Sequence, residues 1–245
     1  GSSHAFRGID TRIINTYGYS AVNLGSSSQT PIQTKLLLQR YLDQLNPKVV
    51  IYDVYPHFFT TDGVESALNI IACDKNDEYS LEMARTINHL KVYNTLFYGY
   101  FRDLMDLNSR FFTEPPTTGA DTYIPGGYVE RSTTTFSDRI IHPKGFDLDE
   151  KQLQAFEYII SLLKERNIQF VLVNAPITTQ LYNSLTSFPE FDAKISNYGK
   201  YYNLSNSLHL NDSLHFYDID HLNQSGVKIY TNKLMEILKT DGYIL

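Results

Sequence analysis

The chain has 245 residues, 42% of them hydrophobic and 20% charged, and carries a net charge of −6. That length can bury a substantial core; the absence of a basic stripe argues against a nucleic-acid surface, and no apolar run approaches the roughly 18 residues of a membrane span. Cys73 is the only cysteine, which excludes a disulfide framework and a multi-cysteine metal site.

In chain order, "SAVNLG" (residues 20–25) reads as a short buried strand ending at a glycine. "TPIQTKLLLQRYLDQL" follows as a helix: Thr30 caps it, Pro31 sits in its first turn and Gln33 completes a capping box. Its Leu38, Tyr41, Leu42 and Leu45 recur at helical spacing. Pro47 stops that helix, and "KVVIYDVYP" (residues 48–56) is β-branched and strand-like. From about residue 60 to 145 the alternation breaks. Helical patterns such as "NTLFYGYFRDLMDL" and the polar, turn-rich "TEPPTTGADTYIPGGYVERSTTTF" predict an insertion on a single domain of residues 1–245. "DLDEKQLQAFEYIISLLKERN" is an amphipathic helix with Leu153, Phe156, Ile160 and Leu163 on one face. It leads into "IQFVLVNAP" (residues 168–176), an apolar run typical of covered parallel strands. "QSGVKIYTNKLMEILK" is the last helix. This alternation predicts an α/β fold, a parallel sheet with helices on both faces. Its binding site is expected beyond the carboxyl ends of the strands, where the insertion can form a lid.

Three short stretches carry candidate chemistry. "GSSHAFRGI" places Ser3 on a glycine-assisted turn. "VNLGSSSQT" places Gly25 just after the first expected strand, where an unhindered backbone N–H can face an oxyanion. "DIDHLNQSG" spaces Asp218 and His221 three apart, so that a carboxylate can hold the imidazole by Nδ1–H and leave Nε2 free as a base. Taken singly, each also reads as ordinary structure: a solvated serine, a strand-ending turn, an acidic loop with Asn223 capping the next helix.

Together, the order and spacing of these stretches resemble the SGNH (GDSL-type) hydrolase superfamily. Its first block holds the nucleophilic serine, its second an oxyanion-hole glycine, and its last, D-x-x-H, the acid and base. The resemblance implies a three-layer α/β/α flavodoxin-like sandwich with the insertion after the third strand. It implies Ser3, Asp218 and His221 as the catalytic triad, with the Ser3 and Gly25 N–H groups as the oxyanion hole. The implied activity is that of a serine esterase or O-acyltransferase on an acylated carbohydrate or envelope polymer, with no cofactor and no metal. The other reading is a catalytically silent domain of the same fold that binds glycan or a partner protein; an unrelated flavodoxin-like binding protein would hold Ser3 and His221 far apart.

Two departures from the family pattern bear on these expectations. The third block, G-x-N-D, supplies a second oxyanion donor through its asparagine, whereas the matching region here is "YDVYPHFF", with His57 nearest that position. The "GSSH" wording and the missing asparagine are similar to branches acting on cell-envelope polymers, the alginate O-acetylation proteins and the protein of lipoteichoic-acid D-alanylation. Those branches imply an extracytoplasmic setting and admit an envelope-associated partner or a homo-oligomer. Second, the family runs a hydrophobic strand directly into its first block, and that strand is absent from this chain. The expectation is therefore a sheet lacking its first strand, with another segment or partner chain in the gap. His4 and Asn174 are candidates to line the substrate site. His4, His89, His142, His209 and His215 show no metal-ligand spacing with Asp or Glu along the sequence.

Overall fold

The computed structural model describes residues 1–107, 116–205 and 207–245. Two short helices come first, α1 (Ser3–Gly8) and α2 (Thr11–Thr16), followed by an extended loop and the long helix α3 (Pro31–Leu45). Strand β1 (Val49–Asp53) and a 3-10 turn (Pro56–Phe59) lead to α4 (Val64–Cys73), α5 (Glu78–Ile87) and α6 (Leu90–Leu104). A small antiparallel sheet follows, made of β2 (Thr117–Thr118), β3 (Asp121–Ile124) and β4 (Tyr128–Arg131). The chain then forms α7 (Glu150–Glu165), β5 (Gln169–Asn174), α8 (Thr179–Ser184), α9 (Phe188–Ser196), β6 (Tyr201–Asn203), α10 (Asp212–His215) and α11 (Gln224–Thr240).

The elements form where local chemistry favours them. Helix α3 starts at the expected capping box, with the Gln33 side chain accepting the Thr30 N–H at 3.1 Å, and ends at left-handed Asn46 before Pro47. Asp149 caps α7 by accepting the Lys151 and Gln152 N–H groups, and Asn223 does the same for Ser225 and Gly226 at the start of α11. The main sheet is parallel with order β1-β5-β6, Ile51 lying opposite Val171 and Val173 opposite Tyr202.

Strand side chains alternate between two cores, as the pleat requires. Tyr52 and Leu172 pack with Leu38, Leu42, Phe156, Ile160 and Leu163 of α3 and α7. Val171 and Val173 pack on the other face with Tyr230, Leu234 and Met235 of α11. The fold is therefore α/β, with helices on both faces of a parallel sheet. Residues 60–107 contribute a third core, in which Ile70 and Ile71 of α4 meet Met83 and Ala84 of α5 and Val92 and Leu96 of α6. Residues 108–115 of the expected insertion, which include part of the turn-rich stretch, lie outside the described residues.

One expectation is corrected. "SAVNLG" is not a strand. With no ladder neighbour, its Asn23 N–H bonds instead to the Gly126 carbonyl in the turn between β3 and β4. β1 is an edge strand: it pairs with β5 on one side, and no strand among the described residues lies on the other.

Candidate active site

Ser3 is the first residue of α1 and therefore has no intrahelical acceptor for its own N–H. Three hydrogen bonds fix the short helix in place. The Asn23 side chain donates to the Ala5 carbonyl at 2.8 Å, the Thr231 hydroxyl donates to the Gly8 carbonyl at 3.2 Å, and the Asp10 N–H donates to the same hydroxyl at 3.2 Å. Thr231 is fully buried on α11, so the start of the chain is tied to the last helix.

His221 sits on a turn that precedes α11, and that turn is over-determined by hydrogen bonds. Asp218 Oδ1 accepts the N–H groups of Asp220 and His221 at 3.0 and 2.8 Å. The Asn223 amide donates to the Leu214 carbonyl, and its N–H to the His215 carbonyl, both at 2.9 Å. Thr178, just after β5, donates through its hydroxyl to the Ile219 carbonyl at 2.6 Å. These bonds bring the two ends of the sequence together. His221 Nε2 lies 2.8 Å from Ser3 Oγ, and His221 Nδ1 lies 3.0 Å from both Asp218 oxygens. A carboxylate can only accept, so Nδ1 carries the proton and Nε2 of the neutral ring accepts from the serine hydroxyl. Such an arrangement can take a proton from Ser3 as its oxygen attacks.

Sequence reading missed a second carboxylate. Asp220 Oδ1 is 3.1 Å from His221 Nδ1, and its Oδ2 is 3.9 Å from His4 Nε2. The signal was present in "DIDH", where an aspartate directly precedes the histidine, but only the turn folds it back onto Nδ1. Burial alone would lower the His221 pKa; Asp218 and Asp220 outweigh it and push the value up to about 9. Asp220 shows the converse: burial raises its pKa, but the hydrogen bond to His221 and the charge of His4 hold it below the usual carboxylate range. His4 is buried, and desolvation together with the neighbouring His221 lowers its pKa below the ordinary value. Its ring stacks on His221 at 5.0 Å and meets Tyr55 edge-on at 4.4 Å.

The small sheet braces the site through Arg7 and Tyr217. Tyr217 stacks on the His221 ring at 5.5 Å and 6°. Arg7 donates to the Tyr217 hydroxyl at 3.1 Å and to Asp121 of β3 at 2.7 Å, while Arg131 of β4 covers the Tyr217 ring. Ser3, His4, Arg7, Pro176, Asp220 and His221 line a cleft at the carboxyl end of β5, with room for about 10 Å³, close to one water. A roomier cavity of about 230 Å³ lies between α3, α5 and α7 and touches none of these residues.

The remaining candidates fall out differently. Gly25 lies against the first turn of α1, where a Cβ would stand 2.9 Å from the Ser2 carbonyl, but its N–H already donates to Asn23 Oδ1 at 2.9 Å. His57 stands exposed on the 3-10 turn beside Phe58 and is not among the residues lining the cleft. Asn174 is fully buried and donates to Ser205 Oγ at 2.9 Å, so it ties β5 to the segment after β6 instead of lining the cleft. Metal-ligand spacing, absent along the sequence, does arise in the fold: His4, Asp220 and His221 each offer a ligand atom within 4.8 Å of the others. Ligands of one ion at about 2.1 Å can be no more than roughly 4.2 Å apart, so this group would have to contract to hold one.

No family model matches the chain, and no curated protein matches it.

The double-carboxylate arrangement has a measurable consequence. A base must be neutral to accept a proton, so the rate of any reaction that passes the Ser3 proton to His221 should rise with pH from neutral towards about 9. Removing one anion destabilises the imidazolium and lowers its pKa. Asp220→Asn should therefore shift the rising limb of the profile to lower pH while leaving a profile of the same shape. A limb that stays in place would show that Asp220 does not act on His221.

Proposed function

We propose that the protein is a serine esterase or O-acyltransferase of the SGNH type. The carrying observation is the 2.8 Å contact of Ser3 Oγ with His221 Nε2, with Asp218 on the opposite nitrogen at 3.0 Å. Ser3 Oγ attacks the carbonyl carbon of an ester while its proton passes to Nε2. Negative charge develops on the carbonyl oxygen, towards the free Ser3 N–H. Collapse of the intermediate breaks the ester C–O bond, and His221 returns the proton to the departing alcohol. Water, or a second hydroxyl in the transferase case, then attacks the acyl-enzyme by the reverse route. The resemblance of the first block favours a carbohydrate or envelope-polymer carrier in an extracytoplasmic setting.

The sheet order and the position of the cleft are compatible with a flavodoxin-like sandwich. A second reading, a silent domain of the same fold that binds glycan or a partner protein, draws on one observation. The Gly25 N–H is already bonded to Asn23, which leaves the Ser3 N–H without its expected companion. Loss of one oxyanion donor costs about 10²–10³ in rate, which slows an enzyme of this kind without abolishing it. Acetate release from O-acetylated oligosaccharides decides between the two: the esterase reading expects turnover above the buffer rate. A folded chain that binds these sugars and releases no acetate supports the silent reading.

A further inference from the structure

Among the described residues, helix α6 presents an unpartnered seam. Its inner face, Val92, Leu96, Gly99 and Arg102, is buried against α4 and α5. The approach is close enough that a Cβ on Gly99 would stand 2.6 Å from the Asn76 side chain. On the outer face Leu90, Asn94, Phe97, Phe101 and Leu104 recur at alternating steps of four and three, the spacing of a helix-pairing seam. All five are exposed: Leu90 by 72%, Phe97 by 78%, Phe101 by 52% and Leu104 by 82%. Tyr98 and Met105 widen the stripe. At about 150–250 Å² for a full aromatic side chain, this set exposes on the order of 800 Å². That is the per-partner area of a standard interface, and it exceeds the apolar patch most monomers tolerate.

We propose that this face pairs two copies of the chain through an α6–α6 contact. The seam carries no formal charge, and self-pairing is consistent with that. Arg102 is turned inwards to the Ile71 and Ala72 carbonyls and bridged to Asp103, so Lys91 is the helix's remaining cation, at its far end. A helix lying in a membrane interface carries many cations on its polar face, which this one lacks. Asn94 in the seam is costly against lipid, yet in a helix pair a single asparagine fixes register and partner number.

Analytical ultracentrifugation of the full chain at micromolar concentration should give a species of twice the 28.2 kDa chain mass. The double variant Phe97→Glu, Phe101→Glu should return it to the single-chain mass with an unchanged circular dichroism spectrum, because both side chains are more than half exposed. A single-chain mass for the wild type, or a dimer that survives the double substitution, overturns the proposal. So does a single-chain species that cosediments with phosphatidylcholine vesicles, which would give the face to lipid.

Discussion

Ser3→Ala should lower ester turnover by about 10⁴-fold or more, with little change in stability. The hydroxyl makes one side-chain hydrogen bond, to His221, so its removal should cost the fold no more than about 1 kcal/mol. The chemical loss is much larger, because without Oγ no acyl-enzyme can form. His221→Ala should be about as damaging, since Ser3 has no other base in reach among the hydrogen bonds it makes. The decisive comparison is the double variant. Groups that act as one unit are not additive, so removing both should be no worse than removing either. Measured kcat values for the three variants, with Tm as the folding control, check this. Losses that multiply would mean that Ser3 and His221 act independently, and near-wild-type turnover by Ser3→Ala would place the nucleophile elsewhere.

Gly226→Ala is the substitution expected to disturb the site most from outside it. Gly226 lies in the first turn of α11, and a Cβ there would stand 2.3 Å from the His215 carbonyl oxygen and 2.8 Å from a Leu222 methyl. That carbonyl accepts the Asn223 N–H and so closes the turn that carries Asp218 and His221. Helix propensity favours alanine by about 1 kcal/mol. Overpacking against backbone, which cannot rotate away, costs about 3 kcal/mol. The clash wins, leaving a net loss of roughly 2 kcal/mol, which for a chain of this size lowers Tm by roughly 4–8 °C. The displaced turn should also lengthen the Ser3–His221 contact, so kcat should fall with KM little changed. Thermal unfolding and kinetics of Gly226→Ala test both halves; a Tm at or above that of the wild type would mean that the turn yields without strain.

Much of this arrangement was legible in the sequence because its causes are local. The capping box at Thr30 and Gln33, the amphipathic face of α7 and the apolar run of β5 each announce their element within a few residues. The pairing of Asp218 with His221 is likewise local, three residues apart on one turn. Where the causes are long-range, the reading failed. "SAVNLG" has the composition of a strand, but a strand exists only through its neighbour, and here the Asn23 N–H is satisfied by the β3–β4 turn. That same turn packs Gly127, at φ +88°, so close to the Asn23 carbonyl that a Cβ would sit 2.2 Å from it. Nothing in "VNLG" reveals that the asparagine two residues before Gly25 folds back to accept its N–H. The direction in which Asp220 and Asn174 point is set by the turn and the sheet register, which residue type does not encode.

The chain of contacts from Arg7 through Tyr217 to His221 is also beyond sequence reading, since it joins residues from opposite ends of the chain to the β3–β4 sheet within the insertion. The β3–β4 part of that insertion works as a buttress, holding the imidazole plane through Asp121 and Arg131.

The most direct test is covalent. Treatment of the folded chain with a fluorophosphonate, followed by peptide mass spectrometry, should place a single adduct on Ser3, and the adduct should be lost in His221→Ala. An unmodified wild type, or an adduct on another serine, would contradict the assembled Ser3–His221–Asp218 relay.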